Sequence, residues 1–305
     1  MKKIVLQPAV KKLKPMKVLS YGPSYSGKTM SSILLAVGIV QKIRNCSKED
    51  AFKHVILIDS EYGRGALYAH LGPFNYYEIE APYHGDKLAD AIKQINNMPE
   101  IDVIICDSLT HFWSKDGGIL DQKAAKDKLG GNSYTNWQDV TAQFNRMIDT
   151  IMASPKHILV TTRAKTDTVV VTEGGKSIPR SYGLKPELRD GIEYDFDIVF
   201  NIDKHSHNLL VDKGVPGIDM VYDIATPELG EKLLDLFNSD AVIPERTKED
   251  MMKSLRDMSK NNNMITFMQL ALSGRKLDDL EIEALKELEL NLINEIKKKQ
   301  TSKAK

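Results

Sequence analysis

The stretch Gly22-Pro23-Ser24-Tyr25-Ser26-Gly27-Lys28-Thr29 decides how this chain is read. It fits GxxxxGK[ST] at every required position, and each required residue has a physical task. Gly22 and Gly27 let the backbone curl so that successive N–H groups point inward at a β-phosphate. The helix expected to follow adds the positive end of its dipole, and Lys28 bridges the β- and γ-phosphates. Thr29 offers a hydroxyl to Mg2+. Met30, the next residue, completes the expected nucleotide-contacting run. The flanks agree with this use, since residues 17–21 read as a buried strand and residues 29–45 carry the apolar spacing of a helix.

Outward from the loop, short apolar runs alternate with longer segments of helical period, the pattern of a largely parallel sheet covered by helices. Residues 54–59, 102–107 and 157–162 are the next strands, and residues 86–96 a helix. Trp137, Val140, Phe144, Met147, Ile148 and Ile151 then recur at helical intervals, predicting a helix that lays one apolar stripe on the sheet. Past Thr162 come shorter strands at 168–172, 194–202 and 208–211, broken by Gly, Pro and basic residues and expected to extend the sheet antiparallel. From Pro227 the pattern is helical. Leu285, Leu288, Leu292 and Ile296 fall on one face of a charged helix, and Pro244 marks a boundary before it.

A phosphate loop that hydrolyses its nucleotide needs a metal-side carboxylate at the end of a neighbouring strand. Asp107 closes the run Val103-Ile104-Ile105-Cys106-Asp107 as such a Walker B residue would. It also needs a group to orient and deprotonate water. Glu61, two residues past the strand Val55-Ile56-Leu57-Ile58-Asp59, lies at the sheet edge where open α/β folds bind ligands, and is the expected general base. Asp59 competes for that role. Lys28, Glu61 and Asp107 are therefore the expected catalytic set, with ATP and Mg2+ as cofactors.

Lys plus Arg equals Asp plus Glu at 42 each, so net charge alone demands neither nucleic acid nor anionic lipid. The ends are basic. Residues 1–17 carry six lysines and no acid, and the C-terminus finishes with Lys297, Lys298, Lys299, Lys303 and Lys305. Cys46 and Cys106 have neither CxxC nor Cys/His ligand spacing, which argues against a disulfide framework or a zinc site. His111 and the other histidines lack metal-ligand spacing, and His111 reads as structural. No apolar run approaches bilayer-spanning length and no signal-peptide core follows the basic start, so a cytoplasmic protein without a membrane partner is expected.

Several stretches carry a more specific resemblance. The phosphate loop, Ile58-Asp59-Ser60-Glu61 and Asp107-Ser108 resemble the ATPase core of the RecA recombinase superfamily, in which the catalytic Glu lies just beyond the second strand. More narrowly, the chain resembles the bacteriophage nucleotide-binding ATPases that include RecA-like single-strand annealing proteins. The matching stretches are Asp107-Ser108-Leu109-Thr110-His111-Phe112-Trp113, Ser154-Pro155-Lys156-His157 through Thr162-Arg163-Ala164-Lys165-Thr166, and Gly183-Leu184-Lys185-Pro186 through Asp195-Phe196-Asp197. With the boundary at Pro244, the expected division is a basic arm at 1–16, a core at 17–243 and a helical module with a basic tail at 244–305. The resemblance spans about residues 17–225 and implies an α/β RecA-like P-loop core. It implies a Mg2+-dependent ATPase stimulated by single-stranded DNA. Such a protein acts as a homo-oligomeric filament or ring in phage recombination, annealing or replication, alongside a single-strand-binding protein.

Arg163 and Lys165 stand where superfamily members keep a polar group that senses the γ-phosphate or relays it to DNA; the alternative is basic residues merely leaving a strand. Lys176, Arg180, Lys185 and Arg189 make residues 173–189 a basic loop that could contact DNA phosphates or a neighbour's ATP, or a solvated hairpin. Residues 114–133 are the other candidate DNA-facing loop, although their mixed charge argues against phosphate binding. Residues 4–8 could add a strand to an adjacent subunit. Two other functions remain open on sequence: an assembly or loader ATPase whose C-terminal helices hold a replication partner, and a P-loop small-molecule kinase.

Overall fold

The computed structural model describes residues 11–130, 132–173, 176–239, 248–261 and 264–303; side chains at 169–182, 250, 257–258, 261, 293–294 and 296–303 lie outside the description. The chain divides into two compact units, one of them Leu13–Ala241.

In that unit β1 (Lys17–Gly22) feeds α1 (Lys28–Arg44), followed by α2 (Lys48–Phe52), β2 (Val55–Asp59), β3 (Asn75–Glu78), α3 (Gly85–Asn96) and β4 (Val103–Asp107). Next come α4 (Leu109–Ser114), α5 (Ile119–Lys128), α6 (Ser133–Ala153), β5 (His157–Glu173) and β6 (Lys176–Pro186). The unit closes with β7 (Ile198–Ile202), β8 (Leu209–Lys213), β9 (Val221–Tyr222) and α7 (Pro227–Asn238).

The strand order is β3-β2-β4-β5-β1-β7-β8-β9, with β6 paired to β5 off this path. Strands β3 through β7 of that order are parallel, and β8 and β9 add antiparallel strands at one edge. This is the expected RecA-like α/β arrangement.

The central strands β1, β2 and β4 are buried on both faces, so they are apolar nearly throughout, and their period of two sends alternate residues to opposite helical layers. In β4, Ile104 and Cys106 join Leu88, Ile92, Phe144 and Ile148 on the α3–α6 side. Val103 and Ile105 join Ile33, Val37 and Leu233 on the α1–α7 side. The two helices on that second side approach with their backbones almost touching. A Cβ on Gly38 would stand 1.8 Å from the Pro227 carbonyl oxygen, and one on Gly230 would stand 2.3 Å from that of Leu35. Neither obstacle is a side chain that can swing away. Gly38→Ala should therefore force α1 and α7 apart and cost about 1–3 kcal/mol, read as a lowered urea midpoint.

A pH-dependent stability term sits at the opposite end of the sheet. His157 Nδ1 accepts the Met16 backbone N–H at 3.0 Å. Burial, reinforced by the nearby Lys17 ammonium, lowers its pKa from 6.5 to about 4. Between those values the unfolded chain binds the proton and the folded chain does not, so stability falls as pH drops through that window. The linked loss is about 3 kcal/mol once both pKa values have been crossed. Urea melts of His157→Gln should show a flatter stability–pH curve there than the parent.

Several elements differ from the sequence expectation. Strand β5 does not stop at Thr162 but continues to Glu173 and folds back as β6, so the strand expected at 168–172 is one arm of a long antiparallel hairpin. The strand expected at 194–202 begins only at Ile198, after a 3-10 turn at Ile192–Tyr194, and pairs parallel to β1. Residues 114–133, expected as a loop, contain α5. Its Asp-Gln-Lys-Ala-Ala-Lys-Asp-Lys run has good intrinsic helix propensity but no apolar stripe, and periodicity cannot detect that.

The other unit contains α8 (Lys248–Asn261), α9 (Ile265–Leu272) and α10 (Ile282–Lys303). Leu285, Leu288 and Leu292 pack with Met251, Leu255, Met264 and Met268 in a core of their own. The Ile296 side chain, the residues 4–8 expected to add a strand and the basic C-terminal side chains lie outside the described residues. Among the described residues no helix is long and apolar enough to cross a membrane.

Candidate nucleotide site

Parallel pairing sets the C-terminal ends of β1, β5, β4 and β2 side by side. Gly22 stands opposite Arg163, and Asp59 opposite Asp107. Every residue expected to handle nucleotide therefore leaves the sheet at one edge.

The loop leaves β1 at Gly22, where a Cβ would meet the Ile202 carbonyl oxygen at 2.5 Å and Ser26 Oγ at 2.6 Å. Gly27 caps α1 with φ 93°, a left-handed conformation that favours glycine. The first turn of α1 contains no acidic residue and receives no side-chain cap, so its leading N–H groups and dipole are left for an anion. Ser26 Oγ is buried without a hydrogen-bond partner. An uncapped cationic helix start beside an orphaned buried hydroxyl fits a phosphate chain. Lys28 Nζ folds back to donate to the carbonyls of Gly22 (3.0 Å) and Pro23 (2.8 Å), and burial lowers its pKa. Pro23 is half-buried, while Ser24, Tyr25 and Met30 are exposed, Tyr25 to 91%.

Thr29 Oγ1 donates to Asp107 Oδ2 at 2.5 Å, and Thr161 Oγ1 donates to the other oxygen of Asp107. Burial raises the Asp107 pKa against the pull of those two hydrogen bonds. A buried carboxylate sharing a short contact with a hydroxyl at the mouth of a phosphate loop is a donor pair of the kind Mg2+ takes, oxygen with oxygen.

Asp59 and Glu61 separate by environment. Asp59 is fully buried, and its oxygens are occupied by the backbone N–H of Glu61, the N–H of Gly65 (2.7 Å) and the Tyr76 hydroxyl (2.8 Å). It braces the turn after β2. Glu61 Oε1 instead accepts from Arg163 Nε (3.3 Å) and Nη2 (3.2 Å) and from Ser108 Oγ (3.2 Å). Burial is the largest influence and raises its pKa, but the Arg163 guanidinium, His111 and the hydrogen bonds from Arg163 and Ser108 together outweigh it; the net shift is downward, so Glu61 is ionised at neutral pH.

His111 joins this cluster, although spacing marked it only as structural. It is fully buried, its Nδ1 lies against the Ser60 carbonyl and its Nε2 is 3.1 Å from Arg163 Nη2. Burial lowers its pKa. The consistent tautomer is neutral, with Nδ1–H donating to Ser60 and Nε2 accepting from Arg163. His111, Ser108 and Thr161 were not expected at the site. Their sequence signals were adjacency to Asp107 and to the end of β5, and membership of the stretches that carry the RecA-like resemblance.

The remaining basic residues point elsewhere. Lys165 Nζ donates to the Leu188 carbonyl (3.0 Å) and pairs with Asp190 (3.3 Å). Lys185 pairs with Asp167 (3.1 Å) and Asp190 (3.2 Å). Arg189 donates to Asn145 Oδ1 at 2.6 Å and lies over the Phe144 ring. Of the six basic candidates, Arg163 alone reaches Glu61 among the described residues; the Lys176 and Arg180 side chains lie outside them.

The family described as an AAA domain (AAA_24) matches residues 14–243, and the chain belongs to that family. It is a P-loop nucleotide-binding and hydrolysing domain, the class that takes ATP with Mg2+. A solved KaiC-like protein from the hyperthermophilic archaeon Pyrococcus horikoshii OT3 aligns over 72% of this chain and 97% of that one, at 12% identity and a TM-score of 0.39. No curated protein matches the sequence.

Proposed function

We propose that this AAA-domain chain is a Mg2+-dependent ATPase that works on single-stranded DNA as a homo-oligomer, in phage recombination, annealing or replication. The observation that carries the hydrolytic part is the convergence of an ionised Glu61 with the Thr29–Asp107 pair at the mouth of the phosphate loop. Lys28 and the start of α1 hold the phosphates. Thr29 and Asp107 would hold Mg2+, which when bound would supply charge neutralisation to the phosphates. Glu61 orients water and accepts its proton, and Arg163 keeps that carboxylate ionised and aimed. The single-strand part rests on the resemblance carried by residues 107–113, 154–166 and 183–197.

The competing readings have less support. A loader that grips a partner through α10 would leave its Leu285–Leu288–Leu292 face open, yet those side chains are buried in their own helical core. A kinase lid at residues 181–189 would be a mobile cover, whereas much of this segment is β6, bonded strand to strand with β5. The test is retention of a fluorescent single strand, with and without Mg2+ and a slowly hydrolysed ATP analogue, across a salt series. Retention that weakens steeply with salt is expected, because phosphate contacts release counterions. Absence of retention even at low salt sinks the DNA reading and leaves the ATPase reading intact.

A further inference from the structure

The chain has two tryptophans, and both line the same open cavity, about 350 Å3 in volume. Trp113 comes from α4 and Trp137 from α6, with ring centroids 6.3 Å apart and planes inclined by 27°. Phe144 meets Trp113 edge-on at 5.3 Å and closes the floor. Lys165, Arg189 and Asp190 form the rim. Trp137 falls on the apolar stripe of α6, but unlike Val140, Phe144, Met147, Ile148 and Ile151 it is not buried. It packs only partly buried against the edge of the α3–α6 core, as Trp113 does. Cations already sit on these aromatic faces: Lys123 Nζ lies 5.7 Å from the Trp137 ring centroid, and Arg189 Cζ lies 4.9 Å from that of Phe144.

We infer that this cavity takes an unpaired base of single-stranded nucleic acid, stacked on the Trp113–Trp137 platform with its flanking phosphate against Lys165 and Arg189. The inference rests on the single-strand reading above and names the place where the strand is held. Aromatic faces beside basic side chains are what sequence-tolerant single-strand binding requires, because every base has a π-face and every nucleotide a phosphate. The volume falls at the lower end of the roughly 300–1,000 Å3 typical of small-ligand sites. Asp190, the acid at the rim, has a side chain 72% exposed and spends its charge on Lys165 and Lys185. Such solvent-facing pairs are weak, so a phosphate can take Asp190's place on Lys165.

The cavity shares two elements, α4 and β5, with the residues that hold Glu61. Trp113 follows His111 by two residues on α4, and Lys165 follows Arg163 by two residues on β5. His111 and Arg163 are bonded to each other, and Arg163 is bonded to Glu61. A base seated between the tryptophans and Lys165 thus presses on both supports of the Arg163–Glu61 contact, which gives strand binding a short physical route to hydrolysis.

Because both tryptophans line the cavity, their emission reports on it directly. Full-length protein should be titrated with oligothymidylate while tryptophan emission is followed, and in parallel with a labelled strand by anisotropy. Saturable quenching on the concentration scale of the anisotropy change is expected. Trp137→Ala should weaken strand binding about tenfold or more, and Trp137→Phe by only a few-fold, since stacking on one base is worth that much. Binding of a fluorescent ATP analogue checks that each variant is folded; if Trp137→Ala fails that check, the parent titration and Trp137→Phe decide. Strand binding with unchanged emission and unchanged Trp137→Ala affinity overturns the cavity assignment while leaving the single-strand function standing. Emission that responds to protein concentration and not to DNA places a second copy in the cavity and also overturns it. No strand binding at low salt removes both this inference and the reading beneath it.

Discussion

Glu61→Gln should bind ATP with nearly parental affinity and hydrolyse it about 10^2–10^4 times more slowly, the usual worth of a positioned general base. The substitution keeps size and a hydrogen-bond acceptor for Arg163 and Ser108, so the clamp around the side chain survives while proton acceptance is lost. Single-turnover hydrolysis alongside equilibrium binding of a fluorescent nucleotide separates the two effects. Parental turnover in Glu61→Gln would remove Glu61 from the mechanism. The pH profile carries a second signature. The Glu61 pKa is shifted downward, so the base stays ionised and the rate should hold as pH falls from neutral into the mildly acidic range. A base with an ordinary or raised pKa would lose rate earlier.

Lys28→Ala should instead weaken nucleotide binding sharply. Lys28 Nζ is the cation of the loop, part-buried and resting on two backbone carbonyls that a phosphate would readily displace. Truncating one member of a buried charge pair costs about 2–5 kcal/mol, or roughly 30-fold to several thousand-fold in Kd. Melting without ligand should be nearly unchanged, because the same lysine is held by burial at a cost and gives the apo fold only two hydrogen bonds to carbonyls. Comparing the melting shift produced by Mg2+ and ATP analogue in parent and variant reads the loss directly: the parent should shift upward and Lys28→Ala should not.

The elements that position the site were legible because their physics is local. Strand β1, the loop and α1 follow from a buried apolar run, two glycines and a helical spacing. Asp107 follows from the apolar run before it. What escaped was set by contacts distant in sequence. Nothing near Glu61 indicates that Arg163, 102 residues on, draws its pKa down, and nothing near Asp59 indicates that Tyr76 and Gly65 occupy its oxygens. The length of β5 was missed because Arg163-Ala164-Lys165-Thr166-Asp167-Thr168, between its buried start and the Val169-Val170-Val171 run, are mostly polar and only partly buried or exposed, and alternation fades with burial. Trp137 illustrates the limit most clearly. Its position on the α6 stripe is a matter of period, but whether a stripe residue is covered depends on what the neighbouring element brings, and at that turn of α6 the neighbour is a cavity.

The measurement that bears most directly on the whole account is the steady-state rate of ATP hydrolysis in Mg2+ with and without an unstructured single strand. A rate that rises on adding the strand, and falls back as salt dissociates it, is the predicted result. A hydrolysis rate equal with and without the strand, at a salt concentration where the strand is bound, would contradict it.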